Sequence, residues 1–169
     1  MRKMIYVQYA TMIVLCFISG VACYQLFDIQ QVTQIIEWGD RRLLSVDKPN
    51  FIWSTVPFIA AIMIVLLFST HKYLTMIAPI FIAIKVTFLG FSSVFLLVQH
   101  HSIKLYAFWW FPFQFVYCLL LIALYKSGQK SNFGRPMRGV VPWKQVAVVL
   151  VAMVIVFALE NFVISYVFK

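Results

Sequence analysis

The 169-residue chain is 63% apolar and 18% aromatic, and only 11% of its residues are charged. A soluble domain carries roughly 25% charged residues, so this chain cannot wet the surface of a globule and is read as a membrane protein. Its net charge of +9 does not point to nucleic acid, because Lys and Arg gather at the ends of apolar runs, where they set orientation and meet anionic lipid headgroups.

A bilayer takes about 20 apolar residues per helical span. Five segments qualify, at residues 4–27, 51–69, 73–98, 105–125 and 146–168. Lipid forces each backbone polar group to find its partner inside the protein, and no ten-residue alternation of a barrel strand is present, so helices are predicted throughout. The expected fold is an all-α, polytopic protein forming a single membrane domain over residues 1–169. Eight Lys and Arg fall on the N-terminal side of the membrane against five on the other. That bias predicts an N-in, C-out orientation, carried mainly by the basic loop 126–144.

The first span carries Cys16 and Cys23. Cys23 follows Gly20-Val21-Ala22, the outline of a lipoprotein cleavage site without its usual Leu, and the segment is expected to stay as an anchor. Gly20, with Ser19 and Ala22, suits close helix contact. All three cysteines, Cys118 included, sit in apolar runs without metal-ligand spacing and read as buried structural residues.

Between the first two spans, Asp28–Asn50 places Ile29, Val32, Ile35, Ile36, Leu43 and Leu44 among Gln, Asp, Glu and Arg. This spacing predicts an amphipathic segment on the outer face, lying on the membrane or capping the bundle. Pro57, Pro79 and Pro112 stand at or near the starts of apolar runs, where they can kink a helix at little cost. Trp109, Trp110, Phe111 and Phe113 cluster near one end of the fourth span, in the manner of interfacial aromatics. The loop 126–144 holds three Gly, two Pro and five basic residues and predicts irregular backbone near headgroups.

Chemistry has few places to reside. Four of the five acids lie on the outer segment, His100 and His101 are adjacent, and His71 lies across the membrane from them. A metal site would need a tighter set of ligands. No HExxH, GxSxG or CxxC occurs, so neither catalysis nor a cofactor is expected. An enzyme acting on lipid or cell wall would have to draw on Asp40 or Asp47 near His100.

Two charges remain inside spans, Lys85 in IFIAIKVTFLGF (Ile80–Phe91) and Glu160 in FALENFVISYVF (Phe157–Phe168). Their spans run in the same direction, which places them at similar depths. An isolated charge at mid-span costs roughly 2.5–3.5 kcal/mol on insertion scales. A Lys85–Glu160 ion pair, or a shared polar cavity, is therefore the economical arrangement, with Pro112 and Gln114 as the kinking and polar positions of the fourth span.

The order of these features resembles the stage II sporulation protein M family of five-span bacterial membrane proteins. The resemblance rests on FISGVA (Phe17–Ala22), FIAIKVTFLGF with Lys85 and Gly90, FPFQFVYCLLLIALY (Phe111–Tyr125) and FALENFVISYVF with Glu160. The chain departs from the family pattern in a shorter outer segment and in the aromatic stretch WWFPFQF. The resemblance implies a non-catalytic scaffold or assembly subunit of a complex in the bacterial cytoplasmic membrane. It also implies protein partners, such as cell-wall hydrolases or a transporter with its ATPase. A membrane subunit or accessory of an ABC-type exporter is the competing expectation.

Overall fold

The computed structural model describes residues 2–44, 51–70, 73–99, 103–129 and 143–167, and among them there is no strand. The helices are α1 (Arg2–Tyr24), α2 (Ile29–Gly39), α3 (Phe51–Thr70), α4 (Ile77–Gln99), the single turn α5 (Ile103–Leu105), α6 (Phe111–Gln129) and α7 (Trp143–Val167). A 3-10 turn, Arg41–Leu43, follows α2, and a π turn, Tyr106–Trp110, joins α5 to α6.

Four helical stretches are long and apolar enough to cross a membrane: Val7–Tyr24, Ile77–Gln99, Ile103–Gly128 and Trp143–Ile164. The chain is thus a multi-pass membrane protein by the length and composition of its helices. The second predicted span corresponds to α3, whose apolar stretch Thr55–Thr70 is shorter than the other four. Gly128 lies against Ser69 and Tyr117 against Phe58, so α3 and α6 run in parallel. Phe17 meets Phe111 and Tyr9 lies under the Lys126 ammonium, so α1 runs antiparallel to α6.

At the centre of the bundle stands α4, which buries Ala78, Ile82, Val86, Leu89, Phe91, Phe95 and Leu96. Against it lies α1, and their crossing is set by two glycines. A Cβ on Gly20 would run into the Thr87 carbonyl oxygen, and one on Gly90 would run into the Phe17 carbonyl oxygen. With no hydrophobic drive between helices in lipid, such backbone-to-backbone approach is what holds them by van der Waals contact. The remaining flank of α1, including Val7, Val14, Leu15 and Ile18, is exposed.

The π turn has a cause in the sequence. Pro112 has no N–H to give to the residue four before it, and its ring crowds that carbonyl. The backbone widens just ahead of it, and the Phe111 N–H donates to the Tyr106 carbonyl, five residues back. Trp109 and Trp110, at the start of the fourth span, turn into the bundle and are each 1% exposed. The Trp110 indole N–H donates to the Ser92 hydroxyl at 3.1 Å.

The amphipathic segment forms where its spacing predicts, but it does more than cap. The Gln31 side chain accepts from the Asp28 N–H at 3.3 Å and helps start α2. Val32 and Ile36 then turn inward, while Ile29 and Trp38 stay exposed. A Cβ on Gly39 would enter the Phe88 ring, so glycine lets the end of α2 settle directly on α4. Beyond it the chain turns inward and buries Asp40, Arg42 and Leu43.

Candidate functional site

The inward turn delivers charge to the interior. Asp40 is the residue that ends α2, with extended backbone, and it is buried like Val32 and Ile36 before it. Its carboxylate caps the 3-10 turn by accepting from the Arg42 backbone N–H at 3.1 Å. The Arg42 guanidinium then folds back on it. Nε donates to Oδ1 at 2.9 Å and to Oδ2 at 3.0 Å, and Nη2 donates to Oδ2 at 2.6 Å. The other terminal nitrogen, Nη1, donates to Glu160 Oε1 at 2.8 Å. Glu160 Oε2 accepts from the Tyr117 hydroxyl at 2.7 Å.

Asp40, Arg42 and Glu160 are 7%, 6% and 1% exposed. Burial works against the guanidinium charge, but Asp40 first and Glu160 second outweigh it and raise the Arg42 pKa above the ordinary arginine value. The Arg42 group also sits 5.8 Å from the Trp109 ring centroid. Phe58 shields one side, stacked on Phe157 at 4.5 Å and tilted against Tyr117 at 5.5 Å.

Beside this network is a cavity of about 60 Å³. Lys85, Gln114, Tyr117 and Glu160 line it, together with Asp40, Arg42, Trp110 and Cys118. The expected companions Lys85 and Glu160 thus share one cavity. Their direct ion pair is not formed: Glu160 is held by Arg42 and Tyr117, and among the described residues no ion pair within 4 Å reaches Lys85. Guanidinium explains the substitution, because its planar fork serves two carboxylates at once where an ammonium acts as a point charge.

Gln114 faces the same cavity, and Pro112 lies two residues earlier, the second residue of α6. Cys118 is buried, and Cys16 and Cys23 pack at the edge of the core. Among the described residues no group of three or more His, Cys, Asp and Glu is placed to hold a metal. His71, His100, His101 and Asp47 lie outside the described residues.

Position within the spans does not point to Asp40, Arg42 or Tyr117, since none of them is an intramembrane charge. A signal for Asp40 was nevertheless present: Val32, Ile36, Asp40 and Leu43 form one helical stripe. An acid on that stripe needs a buried base. Arg42, two residues on, is the nearest one able to turn inward.

No protein-family model, curated protein or solved structure matches this chain. The geometry alone therefore speaks to what the site can do. Its two described carboxylates are each engaged by the guanidinium, and the network ties the α2 elbow to α6 and α7.

Proposed function

We propose that this chain is a five-span, N-in and C-out scaffold or assembly subunit of a complex in a bacterial cytoplasmic membrane, without catalytic activity of its own. The observation that carries the reading is the use made of the buried charges. An Asp40–Arg42–Glu160 network is not an efficient source of stability, because well-packed apolar residues of the same volume often do as well or better. What it supplies is a fixed position for the α2 elbow, since the charges are satisfied in only one arrangement.

The elbow so fixed presents a surface. Gln30, Gln34, Glu37 and Trp38 share the side of α2 turned away from the bundle. Trp38 is 94% exposed, and Glu37 pairs with Arg41 at 3.1 Å beside it. An aromatic anchor rimmed by polar groups is the pattern of a protein-docking surface. The resemblance to the stage II sporulation protein M family agrees with this reading and suggests envelope partners, such as cell-wall hydrolases or a transporter with its ATPase.

Affinity purification of the full chain at native expression in a mild detergent tests the proposal. A membrane or envelope protein should copurify in fixed ratio, and Trp38→Ala should deplete it while leaving the chain's own level unchanged. A chain that purifies alone, and that moves a solute when reconstituted alone in vesicles, overturns the scaffold in favour of a transporter.

A further inference from the structure

A second space, about 200 Å³ and apolar throughout, is shared by α1, α4 and α6. From α1 it is lined by Ile13, Val14 and Ile18, from α4 by Val86, and from α6 by Phe115 and Cys118. The Phe17 and Phe111 rings, 6.2 Å apart, close it at one end. Toward the other end, one turn before Ile13, the Lys126 ammonium stands 4.3 Å from the Tyr9 ring centroid. Phe111 and Cys118 are seven residues apart, so the slot runs ~10 Å along the bundle. Val14 and Ile18, on its lining, are 55% and 56% exposed.

We infer that the slot seats an acyl chain of an anionic phospholipid, whose phosphate lies at Lys126. The lining belongs to spanning stretches, where the surroundings are hydrocarbon, and a space with only apolar walls excludes water. A partner helix is ~10–12 Å across with its side chains; it passes over so short a slot, whereas a single acyl chain is thin and flexible enough to bend into it. Contact with the lining retains the chain by dispersion, since lipid offers no hydrophobic gain. The headgroup is selected by charge. Lys126 stands near the end of the Ile103–Gly128 span, at headgroup depth, and opens the loop 126–144 with its five basic residues. That end of the slot therefore complements an anionic phosphate headgroup. The inference is independent of the scaffold reading, because it concerns a lipid of the chain itself and not a protein docked at α2.

Native mass spectrometry of the full chain, purified in mild detergent and mixed with equal amounts of phosphatidylglycerol and phosphatidylcholine, tests the site. One retained lipid per chain is expected, with phosphatidylglycerol preferred about fivefold, as one basic residue near the membrane surface implies. Phosphatidylglycerol with a photoreactive group in its acyl chain should crosslink to positions 13–18 of α1 and 111–118 of α6. Val14→Trp narrows the slot at its lipid-exposed side and Val86→Phe fills it from α4. Each should cut retention about fivefold or more by removing contacts with the chain. Lys126→Gln should level the preference between the two lipids. A thermal midpoint shows that each variant is folded, and Val14→Trp decides if Val86→Phe does not fold. The proposal is overturned if the parent chain retains no lipid, if it retains both lipids equally, or if folded Val14→Trp retains lipid as before. A preference that survives Lys126→Gln overturns it too, as does a dimer that Val14→Trp disrupts, which would place a second copy of the chain on the slot.

Discussion

Arg42 joins both buried carboxylates, and its replacements separate charge from geometry. Arg42→Ala leaves two carboxylates buried without their cation, a loss of about 3–5 kcal/mol, read as a lower thermal midpoint or as degradation in the membrane. Arg42→Lys keeps the charge but cannot reach Asp40 and Glu160 together in a planar fork, so it falls between the parent and the alanine variant. Tyr117→Phe removes one hydrogen bond to a charged acceptor and should cost about 1.5–3 kcal/mol by the same measurement. The identity of the cation was not legible from the spans. The sequence shows Glu160 as an acid in need of a base, and Lys85 was the base in view. Arg42 stood in a segment that reads as surface, and only folding of that segment reveals it as interior.

Among the elements, the crossing of α1 on α4 makes a second prediction. Gly20→Leu and Gly90→Leu each force the backbones apart, because the added Cβ meets carbonyl backbone and not a movable side chain. Each should lower the thermal midpoint, and the double substitution should cost less than the sum, since one separation serves both. The close approach was legible at Gly20 from its small neighbours; its partner emerged only with the fold. Helix positions were legible too, as the predicted spans at 73–98 and 146–168 lie close to α4 (Ile77–Gln99) and α7 (Trp143–Val167). The π turn was not. Pro112 announces a disturbance, but whether the helix kinks or widens depends on what its neighbours pack against, here Trp109 and Trp110 in the core.

For the whole molecule, the open quantity is orientation. An N-in chain places Trp38 outside and Lys126 inside. Single cysteines introduced at these positions, in a chain whose Cys16, Cys23 and Cys118 are changed to Ala, are expected to react oppositely with a membrane-impermeant thiol reagent on intact cells. Labelling at 38 and protection at 126 is the predicted outcome, and the reverse refutes the orientation. Composition alone made the membrane assignment legible, because 11% charged residues leave no other solvent for so much apolar surface. Function was less legible, since the site is assembled from pieces far apart in the chain.

That distance has a consequence for biogenesis. Arg42 and Glu160 are separated by 118 positions, so the ribosome delivers the guanidinium long before the carboxylate that completes its coordination. Until α7 enters the bilayer, the elbow holds only its own Asp40. Arrival of α7 then supplies Glu160 to the remaining guanidinium nitrogen, Nη1. A nascent chain halted before Trp143 would leave the Arg42 Nη1 and Tyr117 hydroxyl donors without the carboxylate that accepts from both. Closure of the network is thereby coupled to synthesis of α7.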